Sequence, residues 1–334
     1  MKIGFIGNFQ RSYSGEQADE THLSNEIENL GHTVCRIPRD EWREHVRDGK
    51  HYVNVPDNVT FDLVILCKWH HFYSGIFAEK AREKYKCKVF YFVWDYMYGE
   101  GFPEWHINMI KGADLYLGND VRLVKLYEPC GIPAKKLYYF PMDVSDKQFD
   151  RWRKNEPGLP YVQEATVKYD VTFFGSHFGK GDRVEWLKII NQIHPVKVFA
   201  SNWEDWKKIG FDAEASVYYE DFAAKVAESR ITLGFNVNDH CWGYWSNRVG
   251  KVLTVGGFLL QRYVPGMELF LRDGVAYFSS PDEAIQKIAY YLQHSDERQA
   301  IADRGYEIGR DRFTSQARIK ELMIFIDRFL KGGV

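Results

Sequence analysis

Short apolar runs closed by glycine or polar turns recur along the chain, and most are followed by a stretch with helical spacing. Residues 2–6 (KIGFI), 32–37, 62–67 (DLVILC), 88–93 (KVFYFV), 114–117 and 137–140 are too short for helices and predict strands, several buried on both faces. Between them, 18–30, 76–86, 104–111 and 121–128 predict helices, and the polar stretch 39–60 predicts a helix and loop. Residues 144–168, with Pro157, Gly158 and Pro160, predict a connection between domains. The pattern then restarts. Strands are predicted at 169–174 (YDVTFF), 196–200, 230–235, 258–260 and 275–278, and helices at 182–193, 220–228, 281–294 and 296–310. A final helix, 315–330, carries Ile319, Leu322, Met323, Ile326 and Leu330 on one face. Alternation of strand and helix predicts doubly wound parallel sheets, an α/β class. The expected division is 1–150, 151–314 and a C-terminal helix 315–334 that packs back toward the first domain.

Composition narrows the function classes. The 334 residues allow about two domains. The net charge is −2, and the halves on either side of residue 150 carry −3 and +1, so neither is a basic nucleic-acid module by charge. Lys80, Arg82, Lys84, Lys86 and Lys88 cluster around Tyr85, but Glu79 and Glu83 interleave, as on a solvated helix face. Five scattered cysteines without a CxxC pair argue against a zinc site or disulfide framework and fit a reducing cytoplasm. No run reaches membrane-spanning length, and MKIGFIGNF is unlike a signal peptide, so a cytoplasmic location is expected. Aromatic content, 16%, suits both core packing and stacking on sugars or bases.

The most informative stretch is Ser246–Gly274. Ser246 can cap a helix bearing Arg248 and Lys251, whose first turn offers N–H donors and cations to a diphosphate. Gly256 and Gly257 stop that helix, and Phe258–Leu260 form the next strand. Each feature also fits an ordinary helix of an α/β domain. A nicotinamide-dependent oxidoreductase is a rival reading. Gly4 and Gly7 do not form the GxGxxG fingerprint, and Arg36 stands where an acid would hold the ribose.

The run Ser246, Arg248, Gly256, Gly257, Phe258, Leu259, Pro265, Gly266, Glu268, Phe270 and Gly274 continues through Asp282, Glu283, Glu297, Arg298, Ile301, Ala302, Gly305, Phe313, Thr314 and Arg318. It resembles the CgeB-like, group 1 family of glycosyltransferases over about 230–325. Weaker points of likeness are Tyr169–Ser176 with Arg183, Gly31-His32-x-Val34, and Pro141-x-Asp143. The resemblance implies a GT-B fold, two Rossmann-like domains facing a cleft, with a donor domain behind an acceptor domain. It implies transfer of a sugar from a UDP-, GDP- or dTDP-sugar to a hydroxyl on a glycan, a protein, a small molecule or a hydroxymethylated DNA base. Expected donor contacts are Gly175, Ser176, Arg183, Ser246, Arg248, Lys251, Gly256 and Gly257. Lys251 stands where many relatives carry a ribose-binding glutamate, so a binding protein with a degenerate donor site is the alternative. Asn236, Asn238, Asp239 and His240, with Trp242 or Trp245, are candidates for sugar contact. For an inverting reaction the base is expected at Asp95, His70 or His71. His22 is a weaker candidate. No DxD motif is present, so no obligatory metal or other cofactor is expected.

Overall fold

A computed structural model describes residues 1–9, 19–38, 59–67, 76–93, 102–140, 166–177, 182–236 and 242–332, and the backbone alone of 44–47 and 50–53. The chain divides into two compact units, Met1–Pro141 with Ile319–Val334, and Met142–Arg318. The boundary expected at residue 150 lies outside the described residues.

The first unit runs β1 (Lys2–Gly7), α1 (Asp19–Asn29), β2 (Thr33–Pro38), β3 (Glu44–Arg47), β4 (Lys50–Val53), β5 (Leu63–Cys67), α2 (Phe77–Tyr85), β6 (Lys88–Val93), α3 (Glu104–Gly112), β7 (Leu115–Gly118), α4 (Leu123–Tyr127) and β8 (Leu137–Tyr139). Its six-stranded parallel sheet has the order β2-β1-β5-β6-β7-β8. β5 is buried at every position, as a strand covered on both faces must be. The helix expected within 39–60 is instead the antiparallel hairpin β3–β4, pairing Glu44 with Val53 and Arg47 with Lys50. Its mixed polar residues carry neither a clear period of two nor one of 3.6, so periodicity could not separate the two forms. His106 on α3 is fully buried and bridges two tyrosines. Its Nδ1 lies 3.3 Å from the Tyr91 hydroxyl and its Nε2 3.0 Å from that of Tyr127. Burial pushes its imidazole down to about 3, so it is neutral at pH 7.

The second unit runs β9 (Tyr169–Phe174), α5 (Arg183–Ile193), β10 (Val196–Ala200), α6 (Trp203–Lys208), β11 (Asp212–Ala215), α7 (Tyr219–Ala227), β12 (Ser229–Gly234), α8 (Asn247–Thr254), β13 (Leu259–Arg262), α9 (Glu268–Leu271), β14 (Ala276–Phe278), α10 (Pro281–Gln293) and α11 (Ser295–Arg312). The sheet order is β11-β10-β9-β12-β13-β14, all parallel. The order reverses at β9, the doubly wound arrangement that opens a crevice at the carboxyl ends of β9 and β12. α6, β11 and α9 lack counterparts in the sequence reading, because each is short and weakly periodic. The last helix, α12 (Ser315–Leu330), belongs mostly to the first unit. Its Phe325 stacks on Tyr138 at 3.9 Å between centroids, and its Phe329 meets Phe90 edge-on at 5.4 Å.

Two adjacent glycines end α8 for different reasons. Gly256 takes φ +78°, a left-handed stop that costs glycine little. A Cβ on Gly257 would lie 2.2 Å from Val226 Cγ1, so that position is set by close packing of α7 against the turn.

Candidate functional site

β9 delivers Phe173 into the core and Phe174 to the sheet's edge, then turns at Gly175 and Ser176. The turn is tied down on several sides. Gly175 N donates to Phe199 O at 3.0 Å, and Trp206 Nε1 donates to Gly175 O at 3.1 Å. The Ser176 and Ser201 hydroxyls lie 2.8 Å apart. Asn202 grips the backbone of His177 twice, accepting from its N and donating to its O at 2.8 Å.

Two arginines converge here. Arg183, the first residue of α5, donates to Ser176 O and lies 5.7 Å from the Phe173 ring centroid. Arg248, in the first turn of α8, lies 5.2 Å from the same ring and donates from Nη1 to Phe235 O at 2.8 Å. Gly175 leaves the room that Arg248 needs. A Cβ there would lie 2.7 Å from Phe173 Cζ and 2.8 Å from Arg248 Nη2. Arg248 is half-buried and lines the cavity in front of the turn. Burial, and then the charge of Arg183, push its guanidinium down to about 9. An anion between the two would relieve both penalties.

A cavity of about 300 Å³ opens in front of them. Lys251 joins Arg183 and Arg248 in its wall, beside Gly175, Ser176 and Asn247. Phe174, Phe199 and Phe222 form an aromatic wall, with Phe174 and Phe199 stacked at 5.2 Å. Ser216, Val217 and Tyr218 close the far side, from the segment after β11. Next to them Tyr219 holds φ +44°, a left-handed angle costly for an aromatic residue. Among the described residues lining this cavity there are three cations and no carboxylate. That chemistry suits a polyanion carrying a flat apolar ring.

Larger hollows occur elsewhere, at the amino ends of strands. One of about 730 Å³ lies beside Asp62, Lys88 and Asp114, and another of about 500 Å³ beside Asp170, Val196 and Asp212. Each hollow holds an internal ion pair, Lys88–Asp114 at 3.0 Å in the first and Lys197–Asp212 at 2.7 Å in the second. In the basic cluster around α2, Lys80 is paired to Glu83 at 2.9 Å. The crevice at the sheet's reversal point is smaller but holds converging positive charge.

The sequence candidates distribute unevenly. Gly175, Ser176, Arg183, Arg248 and Lys251 meet in one cavity. Ser246 occupies the N-cap position of α8 but makes no side-chain cap bond. Its hydroxyl lies 3.4 Å from Arg248 Nη1, and its N donates to Asn236 Oδ1 at 3.0 Å. Gly256 and Gly257 sit at the other end of α8 and do not line the cavity. Asn236 is buried and also donates to Tyr244 O at 3.2 Å, so it braces the loop and is not open to a sugar. Trp245 is packed against Phe270 and Phe313. Trp242 is 41% exposed and lies against Gly266. His22 is buried on α1. Asp95, His70, His71, Asn238, Asp239 and His240 lie outside the described residues. Sequence reasoning missed the aromatic wall, Asn247 and 216–218. Alternation along YDVTFF places Phe174 opposite Phe173 on the sheet, but no local signal brings Phe199 and Phe222 to it.

Among the described residues no group of three His, Cys, Asp or Glu is gathered to hold a metal ion, and no helix is long and apolar enough to cross a membrane.

The two six-stranded parallel sheets with their helices define a GT-B fold. The chain superposes over nearly its whole length on several solved structures of that class. Sucrose-phosphate synthase from Thermosynechococcus elongatus is 10% identical, with a TM-score of 0.65 and 99% of each chain covered. HepE from Anabaena, solved in complex with UDP and glucose, is 12% identical at a TM-score of 0.63, covering 98% of this chain and 99% of its own. The DNA-modifying enzyme β-glucosyltransferase, solved with and without uridine diphosphoglucose, is 15% identical at 0.63, covering 99% and 100%. Such low identities establish the fold alone. In sequence, residues 182–324 match the family model described as glycosyl transferase-like. That stretch includes Arg183, Arg248, Lys251 and most of the cavity wall. No curated protein sequence matches the chain.

Proposed function

We propose that this protein is a glycosyltransferase that moves a sugar from a nucleoside-diphosphate sugar to a hydroxyl acceptor. The observation that carries the reading is the meeting of Arg183, Arg248 and Lys251 before an aromatic wall, inside the stretch with a glycosyl transferase-like match. In this reading the three cations hold the diphosphate, and Phe174, Phe199, Val217 and Tyr218 face the nucleoside. Negative charge gathers on the diphosphate as the glycosidic bond breaks, and fixed cations stabilise that charge without a metal. Departure of the nucleoside diphosphate leaves the anomeric carbon open to the acceptor oxygen. For an inverting reaction the base is assigned to Asp95, two residues past the end of β6, with His70 and His71 after β5 as the next choices. The CgeB-like group is the finer assignment. The UDP-bound and UDP-glucose-bound neighbours make uridine donors the first to try.

Purified protein is titrated calorimetrically with UDP, GDP and dTDP, and the matching sugar nucleotides are screened for release of free nucleoside diphosphate. Saturable binding by one of the three that Arg248→Met weakens, together with release, supports the reading. Hydroxyl-bearing glycans, peptides and hydroxymethylated DNA then compete as acceptors. Tight binding without release or transfer favours the degenerate-site alternative, to which Lys251 and the carboxylate-free lining of described residues point. Failure to bind any of the three ends the proposal.

A further inference from the structure

We propose that Arg262 is a positioning residue for the phosphate end of this site, acting through Asp182 on Arg183. The inference rests on the nucleotide-binding reading above. Arg262 is the last residue of β13 and is 9% exposed. Its Nη1 and Nη2 donate to the two carboxylate oxygens of Asp182 at 2.5 and 2.8 Å, a bidentate pair. Its guanidinium carbon lies 3.8 Å from the Trp186 ring centroid, one turn into α5. One planar group therefore grips both the start of α5 and the face of its first turn.

Asp182 stands at the N-cap of α5 yet makes no side-chain bond to that helix's own N–H groups. Its carboxylate accepts the paired bonds from Arg262 at the end of β13. The next residue is Arg183. Arg183 and Arg248 carry like charge beside the same phenylalanine ring, and they repel whenever no anion lies between them. Something must hold Arg183 in place before the ligand arrives. The bond to Ser176 O holds its tip, and the Arg262–Asp182 pair holds its base. Exposed ion pairs are weak in general, but here the cation is nearly buried, bidentate and stacked. Removing the carboxylate would take a bidentate acceptor from an almost buried guanidinium.

The test uses the full chain, with UDP and uridine as probes in calorimetry. Arg262→Met keeps the stem over Trp186 and loses the paired donors, and Asp182→Asn keeps shape and loses charge. Both are expected to weaken UDP by about fivefold to tenfold and to leave uridine within about twofold. The double variant Arg183→Met/Arg262→Met is expected to bind UDP no more weakly than Arg183→Met alone, because Arg262 acts only through Arg183. A purely structural clamp would weaken UDP and uridine alike, and its effect would multiply with that of Arg183→Met. Either result overturns the proposal, as does wild-type UDP affinity in both single variants. If Arg262→Met does not fold, Asp182→Asn with Arg183→Met/Asp182→Asn carries the same comparison. A wild-type protein that binds no nucleotide refutes the underlying reading and this inference with it. Wild-type binding with indifferent variants refutes the inference alone.

Discussion

A methyl group at residue 175 would press on Phe173 and on Arg248 Nη2 together, at 2.7 and 2.8 Å. The ring is fixed in the core, so the guanidinium is the group that moves. Gly175→Ala is expected to weaken nucleotide binding by about tenfold and stability by about 1–3 kcal/mol. Calorimetry and thermal unfolding read the two losses separately. Equal binding by Gly175→Ala and wild type would remove Arg248 from the site. Arg248 also sets a pH limit. Its free-state value near 9 is below the ordinary arginine range, and a bound diphosphate raises it. Affinity from this group is therefore full below pH 9 and falls as pH rises through 9, by up to tenfold per unit. The arginine-dependent part is the fall that Arg248→Met removes. A profile unchanged by that substitution contradicts the assignment. Arg248 was legible as a cation at a helix start, whereas Gly175 and Arg183 came forward only through the family resemblance. Asn236 and Trp245 were candidates for sugar contact, with inward packing the other reading. Both are packed inward, and nothing local distinguishes an asparagine that braces a loop from one that meets a ligand.

Helix α8 shows how one element serves the fold and the site at opposite ends. Its first turn aims Arg248 at the cavity and Lys251 joins it from the next turn, while Val249, Val252 and Leu253 are buried. Its last turn stops on Gly256 and lies against α7 through Gly257. Gly257→Ala places a methyl 2.2 Å from Val226 Cγ1 and should cost about 1–3 kcal/mol, read as a lower thermal midpoint. The companion change Val226→Ala should recover part of that loss by clearing the clash. No recovery would mean that the packing is not what fixes this glycine. The helix and its glycine stop were visible as a pattern. What Gly257 packs against was not, because α7 is about thirty residues away in the chain.

At the scale of the whole molecule, the first unit is discontinuous in the chain and is completed by residues 319–334, whereas the second is one continuous stretch. Ile319, Leu322, Met323 and Ile326 are buried, and Phe325 and Phe329 meet Tyr138 and Phe90. Burying each large apolar side chain contributes about 1.5–3 kcal/mol. Deleting 319–334 should therefore strip amide-exchange protection from β6, β7 and β8 and leave β9 to β12 largely protected. Equal loss in both units would show that the helix does not belong to the first. The sequence alone determined the alternation of strands and helices, hence two parallel sheets, because apolar runs and glycine stops are local. It also determined which cations stand near helix starts. Only the tertiary structure decided which groups share a cavity. Phe199 and Phe222 reach Phe174, Arg262 reaches Asp182, and α12 reaches β8 through sheet order and packing, contacts between residues too distant in the chain for any local pattern to encode.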